Sequence, residues 1–480
     1  MKCFPALLAL CIALTPSAAA AQDALALTHV TVVDVESGAL RPDQTVLVRG
    51  GRIAWTGPAA QARVPAGARV VDATGRYAIP GLWDMHVHTS REGRALHFWP
   101  QFVAYGVTGV REMGSYLDSL QYWRARARQP GAVAPRIVYS SPMLDGNPPA
   151  WRHGYGVADS AAAVAAVDTM VALGFDFLKV YSRLSREAYF SIARRARERG
   201  IPFAGHVPQS ITPLQASDAG QRSLEHLDQR LYMACVAGGQ ARLDAFLAAR
   251  AAGAPADSVN AARRRMMDAA LTGADAGTCR PVLEHLAANG TWITPTLTVS
   301  RGENPTPEMI ADPRLRFVPA GLAQRWASRR NSAEDADVGR RINQQMARMV
   351  GLMQAAGVGI LAGTDASDEA YVFAGSGLHD ELALLVDAGL TPLQALQAAT
   401  LSPARYLNAA DSMGTVAAGR VADLVLLDAN PLADIRNTMR IFAVVVRGRL
   451  IDAAERERLL RIAQEEAARA AVAPPARQED

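Results

Sequence analysis

The chain has 480 residues, half of them hydrophobic, with 50 basic against 46 acidic side chains and a formal charge of +4. This composition supports a large buried core and excludes wholesale disorder, and the lack of a basic run or aromatic-basic stripe leaves no footprint for nucleic acid. Within the basic count 48 residues are arginine, and only Lys2 and Lys179 are lysine, so each lysine calls for a reason.

Residues 1–21 start with Lys2, pass through an apolar stretch at 7–14 and end in the small residues Ala19, Ala20 and Ala21. They read as a secretory signal peptide cut before Gln22; the apolar run is well short of the roughly 20 residues that a spanning helix needs. The expected location is periplasmic or secreted, with no stable membrane anchor. Cleavage leaves Lys179 as the one lysine and Cys235 and Cys279 as the two cysteines. In an oxidising compartment these two are expected to form a disulfide, the alternative being two buried thiols.

Short β-type runs at 28–35, 45–48, 52–56 and 69–72, punctuated by Gly50-Gly51 and Gly57-Pro58, predict a small sheet over 22–76. From 77 to 408 apolar strands alternate with amphipathic helices. Strands at 77–88, 107–114, 136–141, 175–182, 201–207, 222–227, 291–299 and 359–367 predict an α/β fold, a (β/α)8 TIM barrel. A doubly wound sheet is the rival, but no G-x-G-x-x-G follows the first strand. Segments 142–158, 231–290 and 301–350 are longer than ordinary connections; the last two are Ala/Arg-rich and read as helical excursions over one barrel mouth. Strands return at 423–428 and 441–447, so 409–452 is expected to join 22–76 in a small composite β-sandwich domain. Residues 453–480 predict a charged helix and a disordered tail from 474.

Six ligand-type residues fall at predicted strand ends. His86 and His88 form an H-x-H whose period of two places both on one face of the first strand. Lys179 lies late in the fourth, His206 ends the fifth, His226 ends the sixth and Asp365 ends the eighth. A barrel gathers its active site at this C-terminal mouth. Singly, each histidine is an ordinary core residue and Asp365 an ordinary helix cap; together they form a constellation. Asp84 alternates with His86 and is placed to orient a ligand. His153, Tyr181 and His379 are candidate substrate-pocket residues, while His29, His97 and His285 lie outside the pattern.

With these positions in place, the chain resembles the amidohydrolase superfamily. The matching segments are PGLWDMHVH at 80–88, FLKVY at 177–181, GHV at 205–207, LEHL at 224–227 and GTD at 363–365. They continue with LTPLQALQAATLSPARYL at 390–407 and GRVADLVLLDANPL at 419–432. GHVP and SLEHL are most similar to the branch of imidazolonepropionase-like proteins and Xaa-Pro or Xaa-Arg dipeptidases. The resemblance implies that His86, His88 and Asp365 hold one divalent metal, zinc being the expected ion, and His206 and His226 a second. It also implies that Lys179, carboxylated by carbon dioxide, bridges the two; lysine can supply the neutral amine that a carbamate needs and arginine cannot. The implied reaction is hydrolysis of an amide-type C–N bond of a small substrate, a dipeptide or N-acyl amino acid, by a metal-bridging hydroxide, with Asp365 passing the proton to the leaving group. Lactonase or phosphotriesterase chemistry on the same centre is the alternative, and a non-catalytic binding protein on a decayed barrel is another. Homo-oligomerisation is left open.

Overall fold

The computed structural model describes residues 24–90, 94–129, 131–328, 333–366 and 369–470. The export signal read at 1–21 and the tail read from 474 lie outside the described residues. No helix among the described residues is long and apolar enough to cross a membrane.

Both ends of the chain build one sheet. Its order is Arg449–Ile451, Ile441–Val446, Leu424–Leu427, Tyr77–Pro80, Leu25–Val33, Leu40–Arg49 and Arg52–Pro58, with Arg69–Asp72 also paired to Leu25–Val33. Hydrogen bonds from Ile53 N to Arg420 O and from Ala422 N to Gly51 O bring the far hairpin back beside the C-terminal strands, so the sheet encloses a core of its own. The run LVLL at 424–427 is apolar throughout because it faces two cores. Leu424 and Leu426 pack with Leu27, Val46 and Ile53 inside the sheet. Val425 and Leu427 point the other way, into the barrel core. A strand buried on both faces reads as a continuous hydrophobic run rather than an alternating one.

The barrel strands are β1 (Leu82–Val87), β2 (Val107–Glu112), β3 (Arg136–Asp145), β4 (Phe177–Val180), β5 (Phe203–Gly205), β6 (Ser223–Glu225) and β7 (Trp292–Thr294). Each pairs in parallel with its sequence neighbour. An eighth segment, 359–366, closes the ring. Leu361 N donates to Ile293 O at 2.9 Å on one side, and Met85 N donates to Ala362 O at 2.9 Å on the other. Helices cover the outside. In Arg186–Arg199, for example, Ala188, Tyr189, Ile192, Ala193 and Ala196 form the buried stripe, Ser185 caps the start and Gly200 at φ 64° ends it.

Two expected strands are corrected. Residues 77–88 are two elements, because the chain leaves the composite sheet at Pro80 and enters the barrel at Leu82. Gly81 sits between them, where a Cβ would lie 2.0 Å from Thr108 Oγ1. The seventh strand stops at Thr294 instead of running to 299. The buried Glu381 carboxylate accepts from Leu297 N at 3.0 Å and Thr298 N at 2.8 Å, which starts the helix Leu297–Gly302 and overrides the β-branched composition. The excursions are helical: Gln229–Ala234, Gly239–Ala251, Ala256–Thr272 and Ala276–Ala288 in the first, with Ala320–Ser328 and Ala333–Ala355 in the second. A bond between Cys235 and Cys279 staples the first excursion.

Candidate metal centre

Strand alternation and two left-handed turns bring the ligand-type residues to one mouth. On β1, Asp84 and His86 point inward, and His88 follows on the same face. On β6, Ser223 and Glu225 take the inward positions, so a continued strand would turn His226 away. His226 instead has φ 66°, and its ring lies 4.6 Å from that of His86 and 4.8 Å from that of His206. Asp365 does the same with φ 59°, which lets Thr364 and Asp365 both face inward. Histidine and aspartate are among the few side chains that adopt this backbone conformation with any frequency.

One ligand atom each from His86, His226 and Asp365 falls within 4.8 Å of the other two, a group able to hold a metal ion. Asp365 Oδ1 lies 3.4 Å from His88 Nε2 and 3.6 Å from His86 Nε2, and Asp365 Oδ2 lies 3.9 Å from His226 Nε2. The opposite nitrogens are anchored: His86 Nδ1 to Glu225 Oε2 at 2.8 Å, His88 Nδ1 to Gly114 O at 2.7 Å, His226 Nδ1 to Thr296 Oγ1 at 2.7 Å and His206 Nδ1 to Ser182 Oγ at 3.2 Å. A carbonyl or carboxylate only accepts, so His86 and His88 carry their protons on Nδ1 and turn the Nε2 lone pair toward the cluster. Burial, reinforced by the nearby Lys179, holds His86 and His206 well below the usual imidazole range and His226 at about 3. All three are therefore neutral, the form that binds a cation.

Lys179, on β4, is fully buried, and its Nζ has no hydrogen-bond partner among the described residues. Burial pulls its pKa down to about 8, against the opposing pull of Glu225 and Asp365.

Supporting carboxylates lie one layer further in. Asp84 accepts from His86 N at 3.2 Å, Thr364 N at 3.0 Å and Thr364 Oγ1 at 2.6 Å. It thus holds the backbone of β1 to the Asp365 turn rather than orienting an imidazole, and burial raises it to about 7. Glu112 gathers the segment after His88, accepting from Thr89 N at 2.8 Å and Ser90 N at 3.1 Å. Glu225 is bound by Arg111, and neither residue is evident from strand-end reasoning. The signal for Glu225 is its two-residue spacing from Ser223, which aims both into the barrel.

The remaining sequence candidates separate. Tyr181 stacks on His206 at 4.2 Å between ring centroids and accepts a hydrogen bond from Trp151 Nε1 at 2.8 Å. His153 lies beside Trp151 and Tyr116, with centroids at 5.9 and 5.6 Å, so an aromatic wall runs from this loop to the histidine cluster. Asp145 holds the loop, accepting from Ala150 N at 2.7 Å and Arg183 N at 2.6 Å. His379 sits elsewhere: Nδ1 meets Thr438 Oγ1 and Nε2 meets Tyr105 O, each at 2.9 Å, which ties the barrel to the segment Ile435–Met439.

Comparison with known proteins relates the chain to others by sequence and by fold. Adenine deaminase 3 of Rhizobium meliloti (strain 1021) is 45% identical over 56 residues, 12% of this chain and 9% of that protein. The chain thus spans only about a tenth of the length of the first curated relatives it matches. Among solved structures, a bottromycin amidohydrolase aligns with a TM-score of 0.70 at 25% identity, covering 96% of this chain and 97% of the other. A Xaa-Pro dipeptidase with bound methionine aligns with a TM-score of 0.63 at 18% identity, covering 90% and 100%, and so shares the fold. The family model for amidohydrolases matches residues 77–451, the span that contains every strand of the barrel and all six ligand-type residues, and the chain belongs to the amidohydrolase family.

Proposed function

We propose that the chain is an exported, metal-dependent hydrolase that cleaves the amide-type C–N bond of a small substrate, a dipeptide or N-acyl amino acid. The observation that carries this reading is Lys179: a fully buried amine without a hydrogen-bond partner among the described residues, near enough to His86, His206 and His226 to help lower their pKa values. An unpaired ammonium is costly in such a place. Carboxylation replaces it with an anion bearing two oxygens, and the lowered pKa supplies the neutral amine that the modification requires. His86, His226 and Asp365 converge as a group able to hold an ion, and His88, His206 and a carboxylated Lys179 would add the donors for a second divalent cation. Histidine with oxygen donors suits zinc. When bound, the cations supply an activated water and a polarised carbonyl. Asp365 is placed to accept a proton and return it to the leaving amine, and the wall of Trp151, His153 and Tyr181 flanks the substrate. Export is supported by the Cys235–Cys279 bond, since disulfides persist in oxidising compartments.

The amide reading is favoured over lactone or phosphotriester hydrolysis by the full-length likeness to a bottromycin amidohydrolase. The complete ligand set weighs against a decayed binding barrel. Metal analysis should return close to two ions per chain, and a panel of dipeptides, N-acyl amino acids, lactones and phosphotriesters should reveal amide cleavage. Lys179→Arg keeps the charge but cannot form the carbamate, so hydrolysis should fall to background. Undiminished turnover in that variant would overturn the proposal.

A further inference from the structure

Beneath the cluster lies a buried ion pair that the hydrolytic reading leaves unused. Arg111, on β2, and Glu225, on β6, are 0% and 1% exposed. Arg111 Nη2 donates to both carboxylate oxygens at 2.8 Å, Nη1 donates to Ser223 Oγ at 2.9 Å and Tyr406 Oη at 2.8 Å, and Nε donates to Met85 O at 2.6 Å. Stability alone is a weak reason for such a pair, because well-packed apolar replacements are often neutral or better. What sets this one apart is its further partner. Glu225 Oε2 lies 2.8 Å from His86 Nδ1, while His86 Nε2 is buried, lacks a hydrogen-bond partner among the described residues and lies 3.6 Å from Asp365 Oδ1.

We infer that Arg111 and Glu225 are positioning residues of the metal centre, which together fix His86 as the Nδ1–H tautomer and aim its Nε2 lone pair at the cation. The two members do different work. Glu225 sets where the imidazole proton sits. Arg111 holds both carboxylate oxygens from the single atom Nη2 and cancels the carboxylate's charge, so the carboxylate can accept from His86 without adding net negative charge beside Asp365. Glutamine cannot do the same. Four donor bonds converge on the carboxylate, two from Arg111 and one each from Ser223 Oγ and His86 Nδ1. An amide NH2 turned toward His86 would make Nδ1 the acceptor and move the imidazole proton to Nε2, the atom that faces the cation.

The inference rests on the metal-binding reading above, and the test separates the two. Metal-free protein is titrated with Co(II), followed by visible absorption and chelator competition, for wild type, Glu225→Gln, Arg111→Met and the double variant. Glu225→Gln should bind Co(II) about 10- to 100-fold more weakly. The double variant is neutral at both positions; it should regain a near-wild-type denaturation midpoint and keep a weakened affinity, because with Arg111 gone the amide oxygen can accept from His86 Nδ1 but holds that proton less firmly than a carboxylate does. A merely structural pair would let the double variant regain both properties. Wild-type affinity in the double variant, or in folded Glu225→Gln, overturns the inference; if Glu225→Gln fails to fold, the double variant decides alone. Wild-type protein that takes up no Co(II) would overturn the metal reading itself.

Discussion

Replacing Cys235 and Cys279 together by alanine should loosen one part of the molecule and leave the rest intact. Cys235 ends the helix Gln229–Ala234, nine residues after His226, and Cys279 lies in the helix Ala276–Ala288. Their separation of 44 residues makes the cross-link worth about 4 kcal/mol in unfolded-chain entropy. Both positions are at most 1% exposed, so alanine is the better substitute, serine leaving a buried hydroxyl. The loss falls on the stapled segment, whose opening population should rise by about three orders of magnitude at 1.4 kcal/mol per decade. Amide hydrogen exchange reads this directly. Protected amides in Ala256–Thr272 should exchange far faster in the double variant, while those of β4 and β5 keep their rates. Unchanged protection in the excursion, or an equal loss throughout the barrel, would refute the reasoning.

Acid sensitivity should report on His379. Burial holds its pKa at about 4, below the unfolded value of about 6.5, so the unfolded chain binds the extra proton between these limits. Stability from this site is complete above pH 6.5 and declines by about 3 kcal/mol as pH falls to 4. In denaturant titrations, the advantage of wild type over His379→Gln should therefore shrink from pH 7 to pH 4.5; a constant difference would count against the linkage. Gly363→Ala should cost about 1–3 kcal/mol and weaken metal binding. Its Cβ would lie 2.5 Å from Thr294 Cγ2 and 2.9 Å from both His86 N and His86 Cβ. An unchanged unfolding midpoint together with unchanged Co(II) uptake would show that the turn has room to spare.

Much of this was legible in the sequence. Strand periodicity carried His86 and His88 to one face, and the order of strand ends carried Lys179, His206, His226 and Asp365 to one mouth. What alternation alone missed are the left-handed residues: a strict period of two would turn His226 outward, and only its positive φ brings it back. Glu225 was hidden beside His226 in SLEHL, because its partner Arg111 lies on a different strand 114 residues away. The length of the seventh strand was misjudged because Glu381, distant in sequence, supplies the cap that ends it. Each gap comes from an interaction between segments that a local reading does not join.

The shared terminal sheet also bears on synthesis. Pro80 pairs with Leu424, and Tyr77 with Leu427. At about 5–20 residues per second, the ribosome needs on the order of 20–70 s to make the chain between these partners. Throughout that interval the edge of Tyr77–Pro80 has no strand beside it, and an open edge is a template for other chains. A nascent chain of this kind needs protection along that edge until Leu424–Leu427 emerges, so truncations that remove this strand should cost yield and solubility more than their distance from the metal cluster suggests.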